Sequence, residues 1–209
     1  MKTFPIAAAG LTAALALTAF PALAQQKGDW TLGLGLGYVV PKDDNGTVLN
    51  GAATLDIGNS LRPTVTAEYF VWDNVGIEIL AAWPFEHSIN SDQLGGKIGT
   101  TQQLPPTVSV QYHFQNTSPV TPFLGVGLNY TTFFNEETQG ALEGTSLSLT
   151  DSWGVAFHAG LDYDLNERGS LRADVRWIDI NSDVKVNGEK IGKAEIDPWV
   201  FGAAYVLKF

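Results

Sequence analysis

Eight stretches of this chain alternate large apolar side chains with small or polar ones, and the connections between them alternate too, long then short. No other feature restricts the fold as tightly. A period of two residues means a β-strand with unlike faces. The stretches run near Trp30–Val40, Leu61–Val71, Val75–Phe85, Pro106–Gln115, Thr121–Thr132, Ser152–Asp164, Ser170–Ile180 and Asp197–Phe209. The long connections fall near residues 41–60, 86–105, 133–151 and 181–196, and the short ones at 72–74, 116–120 and 165–169. Strands running up and down put every long loop at one end and every short turn at the other. That is the plan of an outer-membrane barrel, and a soluble sandwich has no reason to sort its loops this way. The predicted fold is all-β, an eight-stranded antiparallel up-and-down transmembrane β-barrel, and strands of this length suit a tilted crossing.

The faces agree with lipid outside. Trp153, Val155, Phe157, Ala159, Leu161 and Tyr163 share one face, and Gly154, Ala156, His158, Gly160 and Asp162 the other. Large apolar residues with aromatics near the strand ends suit the bilayer and its interfaces; small and polar ones suit a narrow lumen.

Residues 1–24 differ from the rest. A short basic start, an apolar run from Phe4 to Leu17 and the Ala22-Leu23-Ala24 ending read as a secretory signal peptide. The mature barrel is then expected to span residues 25–209. With 12 Lys and Arg against 22 Asp and Glu, the chain lacks the basic patch that nucleic acid needs. No cysteine is present, so no disulfide framework holds this exported chain. Its last strand ends in Phe209 with apolar or aromatic residues at every second position before it. This resembles the C-terminal signal read by the outer-membrane assembly machinery.

Five segments carry a family resemblance: Asp73-Asn74-Val75-Gly76-Ile77-Glu78 with Leu80-Ala81-Ala82; Leu104-Pro105-Pro106-Thr107 with Gln111-Tyr112-His113-Phe114; Pro122 through Thr131 (PFLGVGLNYT); Asp151-Ser152-Trp153-Gly154; and Asp197-Pro198-Trp199-Val200. They resemble the outer-membrane protein W (OmpW) family of small bacterial barrels, in register over most of the mature chain. The first and third long loops diverge. The resemblance implies a bacterial outer-membrane location and a narrow, largely hydrophobic channel that admits small hydrophobic molecules or detergent. It calls for no cofactor.

Parity and strand direction allow a separate reading of the lumen. Near the periplasmic end the inward residues are Glu68, Glu78, Gln111, His113, Asp162, Asp164, Arg172, Asp174 and Lys208, with His158 and Arg176 higher. Charges out of bulk water need partners, so these predict a polar floor. Higher still, Ala82, Thr107, Ser109, Asn129 and Ile178 are small or apolar and predict a pocket open to the outside. Leu80, one step above Glu78, is either space-filling or a hydrophobic gate. Family position makes Trp153 its gate partner, whereas simple parity sends Trp153 toward lipid, as an interface anchor, unless a bulge near Asp151-Ser152 turns it in. Apolar cargo should leave sideways, because a charged floor blocks it. Pro63, Pro105, Pro106 and Pro198, near the extracellular strand ends, are candidate breaks in the ladder or simple strand terminators. The competing reading is a structural or interaction barrel with a packed lumen, its outer loops mediating contacts or stress adaptation.

Catalysis is not expected. His87 beside Ser88 lacks a third group, His113 and His158 lack metal-ligand spacing, and Asp43-Asp44-Asn45-Gly46 reads as a solvated turn. The expected form is a monomer.

Overall fold

The computed structural model describes residues 25–209; the predicted leader, residues 1–24, lies outside them. Eight long strands form a closed antiparallel barrel. They are β1 (Trp30–Val40), β2 (Ser60–Trp72), β3 (Val75–Ala82), β4 (Thr107–His113), β5 (Val120–Thr138), β6 (Ser152–Asn166), β7 (Gly169–Ile178) and β8 (Trp199–Lys208). Each pairs with the next, and β8 returns to β1 with Leu36 opposite Ala203. Closure removes the free edges that hydrocarbon cannot solvate. Among the described residues no helix is long and apolar enough to cross a membrane.

Relative to a soluble domain the barrel is inside out. Leu34, Leu36, Ile79, Val110, Leu128 and Phe157 leave about half their surface exposed on the outer wall, while Glu78, Gln111, His113 and Asn129 are fully buried within. Aromatic residues collect at both ends of the apolar band. Trp30 packs on Tyr69 and Tyr112 on Phe114 near the short turns, and Tyr130 packs on Trp153 near the long connections. A concavity of about 980 Å³ lies on this outer wall along Leu124, Val126, Phe157 and Val175, on the apolar face that suits acyl chains. It is no part of the lumen.

The long connections are not plain loops. Strand β5 runs for 19 residues, which at about 3.3 Å per residue is roughly 60 Å, twice the hydrocarbon thickness. Its outer half pairs with Gly96–Leu104, which pairs with Phe85–Ser91 and then Asp56–Ile57. A second sheet joins Leu147–Leu149, Asn181–Val186, Glu189–Glu195, Thr47–Val48 and Ala53–Thr54. The two sheets make a cap on the long-connection end of the barrel, over an apolar core that includes Leu55, Ile57, Ile98, Phe133, Leu149 and Ile196. Asn45, expected in a solvated turn, is fully buried there. Its amide donates to the Glu195 carbonyl at 3.1 Å and its carbonyl accepts from Ile57 N–H at 2.8 Å. Lys42 adds ion pairs to Glu195 and Asp197 at 2.9 and 3.1 Å. The first and fourth connections are thereby tied together.

Candidate functional site

The bore of the barrel is closed by ion pairs that reach across it. Strand β7 points Arg172 and Arg176 inward, and β3, four places away in a ring of eight, points Glu78 back at them. Arg172 donates to Glu78 at 3.0 Å and Arg176 at 2.7 Å. Arg172 also grips Asp162 of β6 through Nε and Nη2, at 2.7 and 2.8 Å, and lies 3.6 Å from Glu68 of β2. His113 of β4 donates from Nε2 to Glu68 at 2.8 Å. His158 of β6 donates from Nε2 to Asp174 at 2.9 Å, leaving Nδ1 to accept from Gln111 and Arg176. Glu68, Glu78, His113, His158, Asp162, Arg172 and Arg176 are buried. Buried charges persist when they are paired and hydrogen-bonded in this way. Lys208 and Asp164 form a further pair on the periplasmic side.

Two floor residues are not singled out by the sequence reading: Phe70, buried edge-on against His113 at 5.2 Å between ring centroids, and Phe123. Phe123 shares the inward parity of Asn129, but a phenylalanine on a polar face carries no charge signal. The Arg172 guanidinium sits 4.4 Å from its ring centroid, and the rings of His113 and His158 lie 5.2 and 4.9 Å away. Glycines make the room: a side chain on Gly160 would meet the Phe123 ring, and one on Gly76 the Glu68 carboxylate.

Above the floor, the side chains expected to line an open pocket are engaged with their neighbours among the described residues. Asn129 donates to the carbonyls of Pro105 and Pro106 at 3.1 and 3.2 Å and to the Thr107 hydroxyl at 3.0 Å. Ser109 accepts from Arg176 at 3.3 Å, and Ile178 belongs to the apolar core of the cap. Ala82 pairs with Thr64 at the end of β3. These polar groups turn on one another and on proline carbonyls, so they do not line free space. A void of about 30 Å³ lies in the bore at the top of the floor, lined by Thr64, Thr66, Leu80 and Val200 together with Glu78, Arg172, Asp174 and Arg176. That is room for one or two waters. A larger apolar cavity, about 230 Å³, lies in the cap among Val48, Leu55, Ile89, Ile98, Leu147 and Val184. A cavity of about 150 Å³ suffices for benzene.

Leu80 lines the lower void and is the last residue of β3 paired with β4, opposite Thr107. Trp153 does not join it. The Trp153 ring points outward, 67% exposed, against Tyr130 at 4.8 Å between centroids. The β5–β6 register runs unbroken through Asn129–Gly154, Tyr130–Trp153 and Thr131–Ser152, so no bulge turns it in. The side chain above the void is Phe85, whose ring tip lies 3.5 Å from where a Cβ on Gly37 would stand. Parity along Ile77, Ile79, Ala81 and Trp83 predicts Phe85 outward, yet it is buried. The ladder explains the inversion. Between the pairs Leu80–Thr107 and Phe85–Gln103, residues 81–84 face only residues 104–106. One extra residue flips the faces. The same stretch holds Pro84, Pro105 and Pro106, which have no N–H to donate, and β3–β4 pairing lapses across it.

His87 and Ser88 point to opposite faces, as strand neighbours must. The buried His87 donates from Nδ1 to the Gly58 carbonyl at 2.6 Å, while Ser88 accepts from Asn90 on the other side. No hydrolytic pair forms. Burial pushes the His87 imidazole below its ordinary range; the Gly58 hydrogen bond opposes this and the Arg62 charge reinforces it.

Known proteins share this architecture. The model of the OmpW family matches residues 26–209. Outer membrane protein W of Vibrio cholerae is 40% identical over 96% of this chain and 97% of its own length. The crystal structure of OprG from Pseudomonas aeruginosa is 30% identical, with a TM-score of 0.79, over 89% of this chain and 98% of that one. The solid-state NMR structure of AlkL in DMPC lipid bilayers is 27% identical, with a TM-score of 0.69, over 100% of this chain and 96% of that one. OmpW-family barrels are not enzymes as a family. With an apolar girdle, an inside-out barrel and this likeness over residues 26–209, the chain belongs to the OmpW family and resides in the outer membrane.

Proposed function

We propose that this barrel passes small hydrophobic molecules from the exterior into the outer membrane sideways, as a single chain and without catalysis. One juxtaposition carries the reading. Residues 81–84 and 104–106 pair with their outer neighbours but not with each other, which leaves a weak seam in the wall beside Leu80, directly above a floor that apolar cargo cannot cross. Crossing that floor would part buried ion pairs, which costs several kcal/mol each; leaving into lipid costs apolar cargo nothing comparable. The cap cavity is the receiving site, and Leu80 with Phe85 is the gate.

The lapse also discriminates among the prolines. Pro63 sits within the β1–β2 ladder opposite Leu36 and accepts from Trp83, and the Pro198 carbonyl accepts from Ile178. Both are held by pairing. Pro105 and Pro106 are held on the β5 side, by Asn129 and Tyr130, but face no ladder partner on the β3 side, so they mark the exit. At the barrel seam Phe209 and Trp30 exchange backbone hydrogen bonds at 2.9 and 3.3 Å. Before that seam closes, the alternating apolar side chains of β8 are free to meet the assembly machinery.

The test is n-octane uptake by outer-membrane vesicles with and without the chain, alongside planar-bilayer current. Uptake should rise with the chain. Leu80→Asp should cut the gain about tenfold or more, because a charge in an apolar path is poorly solvated. Current should stay at baseline. Uptake equal to that of chain-free vesicles would leave a packed scaffold whose outer face makes contacts, and the transport reading would be lost.

A further inference from the structure

We infer that the neck between the cap cavity and the lumen reads a hydroxyl group on the cargo, through His87 and Gln103. The inference rests on the sideways-passage reading and adds a chemical preference to it. Three inward side chains follow one another along Phe85–Ser91. Ile89 lines the cap cavity and Phe85 reaches the lumen beside Gly37. His87 lies between them along the same inward face, on the direct line from cavity to lumen. On the partner strand Gln103 stands opposite Phe85 and also opposite Phe133 of β5, and Thr101 stands opposite His87. His87 and Gln103 are therefore diagonal neighbours on one inward face, close enough for two long side chains to meet at a common atom.

Both side chains are 1% exposed, and three of their polar atoms have no protein partner: His87 Nε2, Gln103 Nε2 and Gln103 Oε1. Native interiors seldom leave buried polar atoms unmatched. The hydrogen bond from His87 Nδ1 to Gly58 fixes the tautomer, so Nε2 is a bare acceptor. Gln103 supplies a donor and an acceptor. The complementary ligand group donates one hydrogen bond and accepts another from the same small centre, as an alcohol or phenol does. A ketone or ester can satisfy only the amide. A carboxylate brings a charge against a lone pair, and an alkane leaves all three atoms bare. The apolar cavity above takes the hydrocarbon tail. The neck thus favours an aliphatic alcohol over the alkane of equal length by about tenfold, the discrimination of one or two net hydrogen bonds.

The test uses the full chain in lipid nanodiscs with ¹⁵N-labelled histidine, titrated with 1-octanol and, separately, n-octane. Octanol should shift the His87 Nε2 resonance, and octane should not. Methyl signals of Ile89 and Ile98 should respond to both. Vesicle uptake should favour octanol about tenfold, and Gln103→Leu, which is close in shape, should bring that ratio near one. His87→Phe should do the same, with heat-modifiable gel migration confirming that each variant is folded. If octane and octanol perturb Ile89 equally while His87 Nε2 stays still and the uptake ratio is already near one, the hydroxyl reader is overturned and passage stands. If neither molecule perturbs Ile89 or Ile98, the passage reading itself falls, and this inference falls with it.

Discussion

The barrel floor and the cap are both β-walled interiors, filled in opposite ways. The floor is packed with charge: Arg172 and Arg176 bridge to Glu78 on the facing wall, with Asp162, Glu68 and two histidines completing the network. The cap is packed with aliphatic side chains and keeps a cavity of about 230 Å³. Directional bonds in a dry site fix a single arrangement, whereas dispersion between aliphatic groups is nondirectional and tolerates rearrangement. By this contrast the cap is the adaptable region and the floor the rigid one.

The contrast is broken most forcefully at Arg172. Arg172→Leu strands Asp162, Glu78 and Glu68 without their shared cation. Removing one partner of a buried ion pair costs about 3–5 kcal/mol. The urea midpoint of the protein refolded into lipid vesicles should fall accordingly, and adding Asp162→Leu should recover part of the loss. A cap substitution such as Ile98→Ala should cost less, since that side chain already borders a cavity. Equal losses at the two sites would erase the distinction between a rigid floor and an adaptable cap.

Phe85→Ala comes next, and it tests which region limits passage. Deleting this ring joins the void beside Leu80 to the neck above. Octane uptake by vesicles should rise several-fold while ionic current stays at baseline, because the charged floor is untouched. A rise in current would mean that Phe85 also braces the floor, and the two regions would no longer be separable.

How far the fold can be read from the chain follows the same division. Strand β1 is legible residue by residue, since lipid outside and a narrow lumen inside enforce period two without interruption. Inward positions such as Glu78 and Arg172 follow from parity for the same reason. The cap is hidden, because its strands pair segments far apart in sequence and its burial follows no single period. Asn45 illustrates this: Asn-Gly is turn chemistry, and only the arrival of Glu195 and Ile57 makes the side chain a buried brace. Phe85 is not legible from parity, because one extra residue between β3 and β4 inverts the faces beyond it. The partners of Thr107, Ser109 and Asn129 are not legible, because these look like free polar groups until the proline carbonyls and Arg176 meet them.

A smaller effect separates the regions by pH. His87 in the cap hairpin has its folded-state pKa pushed down, first by burial and also by Arg62, against the Gly58 hydrogen bond and the Glu86 charge. The unfolded chain then binds the proton more readily. Stability from this group is complete above pH about 6.5 and is lost as pH falls toward the lowered value. Amides of residues 85–104 should therefore exchange faster at pH 5 than at pH 7.5, after correction for intrinsic rates. His87→Leu should remove the difference in that hairpin. An unchanged pH response in that variant would assign the effect to other groups.

The smallest effect is expected at Trp153, where the outward ring touches Tyr130 and the membrane interface rather than the lumen. Trp153→Leu exchanges one lipid-compatible side chain for another and loses an aromatic contact worth about 0.5–1.5 kcal/mol. Stability should change within that range, and octane uptake should not change at all. The informative quantity is the ratio of this result to that of Leu80→Asp. Both residues stand near the extracellular end of their strands, and the resemblance alone pairs them as one gate. Side-chain direction separates them, because the unbroken β5–β6 register holds Trp153 outward while Leu80 lines the void. If Trp153→Leu altered uptake as strongly as Leu80→Asp, the ring would have to turn inward during passage. That would require the β5–β6 ladder to slip by one residue, exposing Ser152 and Gly154 to lipid. Such a slip would place the moving part in the barrel wall instead of the cap.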